Sequence, residues 1–355
     1  MKKFFFIAAI ASAALVSCTK NEVTPIAQDQ EITFAAPVVG PQTKAQYGEI
    51  GVNYNEAEHF GVYAVHTPAE LATWAAGSLY MGTPATGGAA AGLQVLKASG
   101  ENYWAPATPY YWPKEGFLSF AAYSPYDVTG TVSYDGEGLE VLAHTVSTET
   151  ANHVDFMYAP RVYNRNSSTE EGDDDDTKYK YDGVNILFEH AMSSIVIKVA
   201  KASGLDANTV ITLNNITITK PYMTADFNEK VTDGATYAAA PEWSNWKDAT
   251  DITTYNTPKA LTYDLTEYVK NTDDDVILIP QSLTDDVKIV LDYDITTAGG
   301  NKINQVSDIK LNAYTPSWGI GTRYTYNITI GMEEIIFDPA VTKWTDATPE
   351  TNIAI

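Results

Sequence analysis

The sequence predicts an all-β protein of two β-sandwiches in series, and composition and hydrophobic period both favour this fold class. The chain contains 23 Tyr, 11 Phe and 7 Trp beside 23 Gly and 17 Pro, a mixture that suits short strands joined by turns. Apolar and polar residues alternate along several runs, for example 287–295, with the period of a strand that buries one face. No helical pattern of comparable length competes with these runs.

Length and charge limit the functions that the chain can have. Its 355 residues are enough for two domains of ordinary size. A formal net charge of -23 and a pI near 4.4 repel phosphate backbones and anionic lipid headgroups, so we expect no nucleic-acid partner. The hydrophobic fraction of 45% can fill a core and argues against global disorder.

The amino terminus carries an export signal. Lys2 and Lys3 precede an apolar run over 4–16 that is too short to span a bilayer, which indicates a signal peptide over 1–18. Cys18 is the only cysteine of the chain, so no intramolecular disulfide can form. The residues before it, 15–17, resemble a bacterial lipobox, which predicts that Cys18 is lipidated. The alternative is a secretory signal that ends in a chance cysteine.

The first predicted elements are a tether, a short strand and a linker. Residues 19–30 are polar and read as a tether between membrane and fold. A first strand follows over 31–36, with Ile32 and Phe34 on one face. Pro and Gly end it and begin a linker over 37–54. The next strand, 59–65, is apolar at nearly every position, which predicts burial on both faces.

The rest of the chain reads as strands and loops, with about seven strands on each side of residue 221. We place the domain boundary there, which gives sandwiches over 31–221 and 222–355; the alternative boundary is the acidic insert at 164–182. Loops are predicted over 77–92, and an irregular stretch over 242–251. The further predicted strands lie at 110–113, 117–125, 131–134, 139–146, 155–159, 184–200, 210–219, 259–265, 276–279, 287–295, 303–311 and 324–330.

Motifs for catalysis, cofactors and metals are not found in the sequence. The histidines show no metal-ligand spacing, and no nucleophile elbow, phosphate loop or dinucleotide signature occurs. We therefore expect no enzyme, no cofactor and no metal site. Four adjacent carboxylates within 170–176 suggest calcium, but the loop lacks the ligand spacing and closing Glu of a calcium-binding hand. An exposed acidic loop is favoured. The histidines are His59, His66, His144, His153 and His190.

Clustered aromatic residues are the remaining candidate binding feature. The clusters 103–104, 110–112 and 243–246 could provide platforms for sugar rings, because an apolar sugar face packs on an aromatic ring. The alternative, which we favour, is that these side chains fill strand faces and sandwich edges.

Short segments along nearly the whole chain resemble the fimbrillin family of Bacteroidetes, the lipoprotein precursors of type V pilins. Each segment is weak alone, but their order and spacing are hard to obtain by accident. The segments are Cys18, 32–34, 43–45, 111–113, 118–125, 155–159, 187–193, 279–281, the Gly321, Tyr324, Tyr326, Ile328 and Ile330 pattern, and Val341 with Trp344.

The resemblance implies two transthyretin-like sandwiches and a route of assembly. Members of the family reach the outer membrane as lipoproteins, and a trypsin-like protease then removes the first strand. A strand from a neighbouring pilin subunit fills the groove, which completes a sheet edge and builds a surface fimbrium. Relatives carry Arg at the cut site, whereas here Lys44 is the sole Lys or Arg between Lys20 and Lys97. Cleavage would leave Ala45 as the new amino terminus.

The resemblance also implies a donor strand, for which the carboxyl end over 341–355 is the candidate. Ile353 and Ile355 alternate on an otherwise polar tail, and we expect them to fill the groove left by Ile32 and Phe34. A surface glycan-binding lipoprotein that keeps its lipid anchor is the alternative function. A hydrolase ranks last, since no motif supports it.

Overall fold

The described part of the chain is built almost entirely of β-strands. The computed structural model describes residues 26–35, 37–39, 52–53, 59–70, 77–83, 92–101, 103–134, 138–166, 183–229, 241–262, 269–270, 275–331 and 335–344. Within these ranges the helices are two short 3-10 turns, Thr150–Asn152 and Leu311–Ala313. The predicted all-β sandwich fold is confirmed.

The amino-terminal half contributes thirteen strands to the described residues. They are β1 (Ile26–Glu31), β2 (Val38–Val39), β3 (Val52–Asn53), β4 (Phe60–Thr67), β5 (Ser78–Met81), β6 (Leu93–Lys97), β7 (Trp104–Pro106), β8 (Tyr111–Pro113), β9 (Phe117–Ser124), β10 (Thr131–Tyr134), β11 (Leu139–Thr145), β12 (Met157–Arg165) and β13 (Leu187–His190).

The remaining fourteen described strands follow β13. They are β14 (Ser193–Lys201), β15 (Val210–Thr219), β16 (Tyr222–Asn228), β17 (Glu242–Ala249), β18 (Ile252–Tyr255), β19 (Lys259–Ala260), β20 (Val269–Lys270), β21 (Val276–Leu278), β22 (Gln281–Ser282), β23 (Lys288–Thr296), β24 (Lys302–Lys310), β25 (Ser317–Trp318), β26 (Thr322–Ile330) and β27 (Ile335–Lys343).

The largest sheet has the order β3-β2-β13-β12-β9-β4-β6-β7, with β5 also paired to β4. Strand β4 lies inside it, and successive side chains enter two different cores. Phe60 and Val62 belong to a smaller cluster on one face, and Tyr63 and Val65 belong to the larger core on the other. The predicted burial of this strand on both faces is confirmed.

Two sheets with the orders β20-β14-β26-β27 and β18-β15-β23-β24 pack across the larger core. In β23 the side chains of Ile289, Leu291 and Tyr293 are buried, and the residues between them are more exposed. Period-2 burial of this kind is what the alternating sequence predicts. Strand β14 runs parallel to β26, with Ile195 opposite Tyr324.

Strand pairing does not divide at residue 221, which the sequence suggested as a boundary. Strands β14 and β15 precede this residue but pair with later strands such as β26 and β23. Strands β16 and β17 follow it but join β10 and β11 in one sheet. The larger core is likewise continuous from Tyr63 to Trp344. The division into two sandwiches stays a prediction.

Several predicted elements need correction. The range 242–251 contains strand β17, which sequence patterning missed because most of its side chains are polar and exposed. The range 77–92 contains β5, and the linker 37–54 contains β2 and β3. The first strand is β1, Ile26–Glu31, which pairs with β8, so 26–30 belong to a strand rather than to the tether. Of the predicted first strand 31–36 only Glu31 lies in β1, and pairing within 32–35 is limited to isolated bridges of Phe34.

Candidate functional site

Residues 32–35 lie between Trp104, in the edge strand β7 of the largest sheet, and Val184, which precedes β13. On one side the backbone of Phe34 exchanges two hydrogen bonds of 2.8 Å with Trp104, and Ile32 N–H donates to the Tyr110 carbonyl at 2.7 Å. On the other side Val184 N–H donates to the Thr33 carbonyl at 2.8 Å, and Ala35 N–H donates to the Val184 carbonyl at 3.0 Å. The segment is antiparallel to Trp104 and parallel to Val184.

Ile32 and Phe34 pack into the smaller core cluster, and we call the surface that the other members of this cluster form around them the slot. Both side chains are buried, at 1% and 0% exposure. The Phe34 ring meets Phe60 edge-on with centroids 5.7 Å apart and meets Phe120 in the same way at 5.8 Å. The other members are Val39, Val62, Ala64, Met81, Val95, Trp104, Trp112, Leu118, Ala122, Ala159, Val184, Ile186 and Phe188.

Gly183 is required where the chain passes the inserted segment. Its φ of +75° is in the left-handed region, which glycine adopts without the steric cost that a side chain brings. A Cβ atom at this position would lie 2.3 Å from the Thr33 carbonyl oxygen. Gly183 was not predictable as a site residue, because a single glycine in a sequence does not indicate which distant segment it will contact.

Most other predicted site residues lie outside the described residues. These are Cys18, Lys44, Ala45, Ile353, Ile355 and the acidic loop 170–176. The structure therefore brings together Ile32 and Phe34 but places neither the lipidation site, nor the cleavage site, nor the donor tail.

The start of the predicted donor range, 341–344, belongs to the folded body. Val341 pairs with Tyr324 as part of β27. Trp344 is 6% exposed and stacks on His190, with centroids 3.7 Å apart and planes 6° from parallel. His190 is in turn 2.6 Å from a carboxylate oxygen of Asp155. In this structure residues 341–344 are thus occupied in the folded body, and the donor role of 341–355 stays a prediction.

Buried ionisable groups occur away from the slot. Burial lowers the pKa of His144 to about 4, because the charged imidazolium loses its hydration among aromatic neighbours. Burial also raises the pKa of Glu229 to about 7, and the charge of Arg161 opposes this shift. In the described ranges no group of three or more His, Cys, Asp or Glu side chains could hold a metal ion.

Among the described helices, none has the length and hydrophobicity that a membrane span needs.

Comparisons with known proteins agree with the fold and the sequence pattern. A model of the fimbrillin-like family matches residues 43–344. No curated protein matches the chain.

Two solved structures from Bacteroides species share the fold. A proposed cell adhesion protein from Bacteroides uniformis is 18% identical with a TM-score of 0.50, covering 89% of this chain and 99% of its own. A fimbrial protein from Bacteroides vulgatus is also 18% identical with a TM-score of 0.50, covering 88% of this chain and 100% of its own. The tip fimbrial protein Mfa3 from Porphyromonas gingivalis, with a C-terminal truncation, is 9% identical with a TM-score of 0.38, covering 81% of this chain and 94% of its own.

Proposed function

The chain belongs to the fimbrillin-like family, and on this premise we propose that it is a structural subunit of a surface fimbrium. We propose that it is exported to the outer membrane as a lipoprotein anchored through Cys18. A trypsin-like protease then cuts after Lys44, and the trimmed subunits polymerise by strand exchange. The family favours a structural role over an enzymatic one.

The observation that carries this proposal is the insertion of residues 32–35 into the slot. The segment is held by backbone hydrogen bonds and by packing of Ile32 and Phe34. Such contacts can be replaced by any extended segment with apolar side chains two residues apart, because the partners are backbone groups and an apolar surface. Lys44 follows the segment in the chain, so a cut there breaks the covalent link between the body and a fragment that contains the segment, β1 and β2.

The energetics of an empty slot favour a replacement strand. Loss of the segment would leave the N–H and C=O groups of Trp104 and the corresponding groups of Val184 without their partners. Any of these groups that stays shielded from water without a partner costs about 1–3 kcal/mol, and the apolar surface of the slot that becomes exposed adds to this cost. An incoming strand removes both costs.

The tail of a neighbouring subunit is the proposed replacement. Ile353 and Ile355 have the same two-residue spacing as Ile32 and Phe34, which puts both side chains of each pair on one face of a strand. Donor and slot are different surfaces, so the contact is heterologous and can propagate as a filament.

Mass spectrometry of material sheared from the cell surface tests the processing steps. We expect a chain that begins at Ala45 without lipid. The variant Lys44→Gln should remain uncut and lipidated, whereas Lys114→Gln, at an exposed lysine elsewhere, should be processed normally. Sheared fibres built from chains that still begin at lipidated Cys18 would refute the proposal.

Truncation tests the donor strand separately. A chain that lacks residues 346–355 should keep its folded body, since β27 and Trp344 are retained. It should fail to add to the next subunit. Normal polymer ladders from the truncated chain would show that the tail is not the donor.

A further inference from the structure

A shallow cleft with a volume of about 220 Å³ lies beside strands β17, β22 and β25. It shares no lining residue with the slot. Its aromatic walls come from Trp243, Trp246 and Trp318, and Ser282 and Ser317, which are opposite each other in the β22–β25 pair, contribute to its rim.

A bulge in β17 brings two of the tryptophans to the same cleft. Trp243 and Trp246 are three residues apart, so a regular strand would point them to opposite faces. The pairing with β16 shifts between Thr224 and Asp226, which inserts an extra residue in β17. Asn245 lies at the shift with a φ of +55°, and its side-chain amide donates to Asp226 at 2.8 Å. Bulges of this kind re-aim side chains.

The two tryptophans are held differently. Trp243 is 6% exposed and donates its indole N–H to the Ala191 carbonyl at 2.8 Å, so it is a core residue. Trp246 is 40% exposed, yet its indole N–H donates to the Pro280 carbonyl at 2.9 Å. The ring of Trp246 is therefore oriented while much of its surface stays accessible, which suits a binding platform better than a core position.

The chemistry of the lining selects the class of ligand. Among the described residues, no ionisable side chain lines this cleft, although the whole chain carries a net charge of -23. An oriented indole offers a surface for an apolar ring face, and Ser282 and Ser317 are exposed serines at the rim. The volume is below the roughly 300–1,000 Å³ that is usual for drug-sized ligands. A single neutral ring with hydroxyl groups at its edge fits these conditions.

We propose that this cleft binds one neutral pyranose ring of a glycan, stacked on Trp246. This site would give the protein a carbohydrate-binding function in addition to assembly. It uses no residue of the slot, so an uncut or non-polymerising protein should bind equally well.

Titration of the purified exported protein with methyl glycosides of glucose, galactose and mannose tests the site. Calorimetry and tryptophan fluorescence should report saturable binding of at least one of them, with a dissociation constant on the order of 1 mM for a single ring. The variant Trp246→Ala should weaken binding at least tenfold with an unchanged far-UV spectrum. Val306→Ala, at an exposed apolar residue of β24, should leave binding unchanged.

Two substitutions of Asn245 test whether the orientation of the Trp246 ring matters for binding, since both variants keep Trp246 itself. Asn245→Gly keeps access to the left-handed region and should retain binding. Asn245→Val disfavours that region and should weaken binding at least tenfold although Trp246 is still present. The proposal is overturned if no glycoside saturates the protein up to 50-fold above about 1 mM, or if Trp246→Ala binds as the parent does. Tighter binding of a proline-rich peptide at Trp246 would also overturn it.

Discussion

Replacing Phe34 by alanine should weaken the binding of residues 32–35 in the slot. The ring is fully buried and makes two edge-to-face contacts, with Phe60 and Phe120. Truncation of a buried Phe costs about 3–5 kcal/mol, and each aromatic pair contributes about 0.5–1.5 kcal/mol of specific interaction. We expect a loss of about 4 kcal/mol, which is roughly a thousandfold in the equilibrium constant for segment release.

The assay is release of the segment from protein cut after Lys44 in vitro. After cleavage and gel filtration under native conditions, the parent should retain the amino-terminal fragment and Phe34→Ala should lose it. Urea unfolding of the uncut chains gives the free energy independently. Glu31→Ala is the matched control, because Glu31 is exposed and adjoins the same segment. Equal retention of the fragment by parent and Phe34→Ala, with less than about 1 kcal/mol between their unfolding free energies, would refute the reasoning.

Three further predictions concern the slot, the acid response and the carboxyl-terminal anchor. Gly183→Val should speed fragment release after cleavage, because its side chain would meet the Thr33 carbonyl; release at the parent rate would contradict this. The folded pKa of His144, about 4 against an ordinary 6.5, means that the unfolded chain binds the extra proton as pH falls. Protonation of His144 in the unfolded chain should thus lower the free energy of unfolding by about 3 kcal/mol as the pH falls from 7.5 to 4. Urea unfolding of His144→Gln should show a correspondingly smaller dependence of this free energy on pH. Trp344→Ala should lower the unfolding free energy by about 3 kcal/mol, whereas Trp344→Phe should recover most of it by restacking on His190; equal losses in both variants would exclude the stack as the cause.

The candidate site was predictable in part. Alternation over 31–36 placed Ile32 and Phe34 on one face, and both side chains do lie in one cluster. The partners of that segment were not predictable, since Trp104 and Val184 are distant in sequence and contribute backbone groups that every residue shares. The aromatic clusters were ambiguous for a similar reason. Trp104 and Trp112 proved to be core residues, whereas Trp246 lies beside the bulge at Asn245 and is 40% exposed.

The sequence by itself determined the fold class and the positions of many strands. Strands β10 and β15 occupy the predicted ranges, 131–134 and 210–219. Strand β15 shows the alternating burial that its sequence predicts, because period-2 burial depends on residues next to one another. Only the tertiary structure decided which strands pair, how pairing crosses residue 221, and that residues 32–35 lie between Trp104 and Val184. The reason is that a β-ladder is made of identical backbone donors and acceptors. Their partners are chosen by the packing of the whole chain.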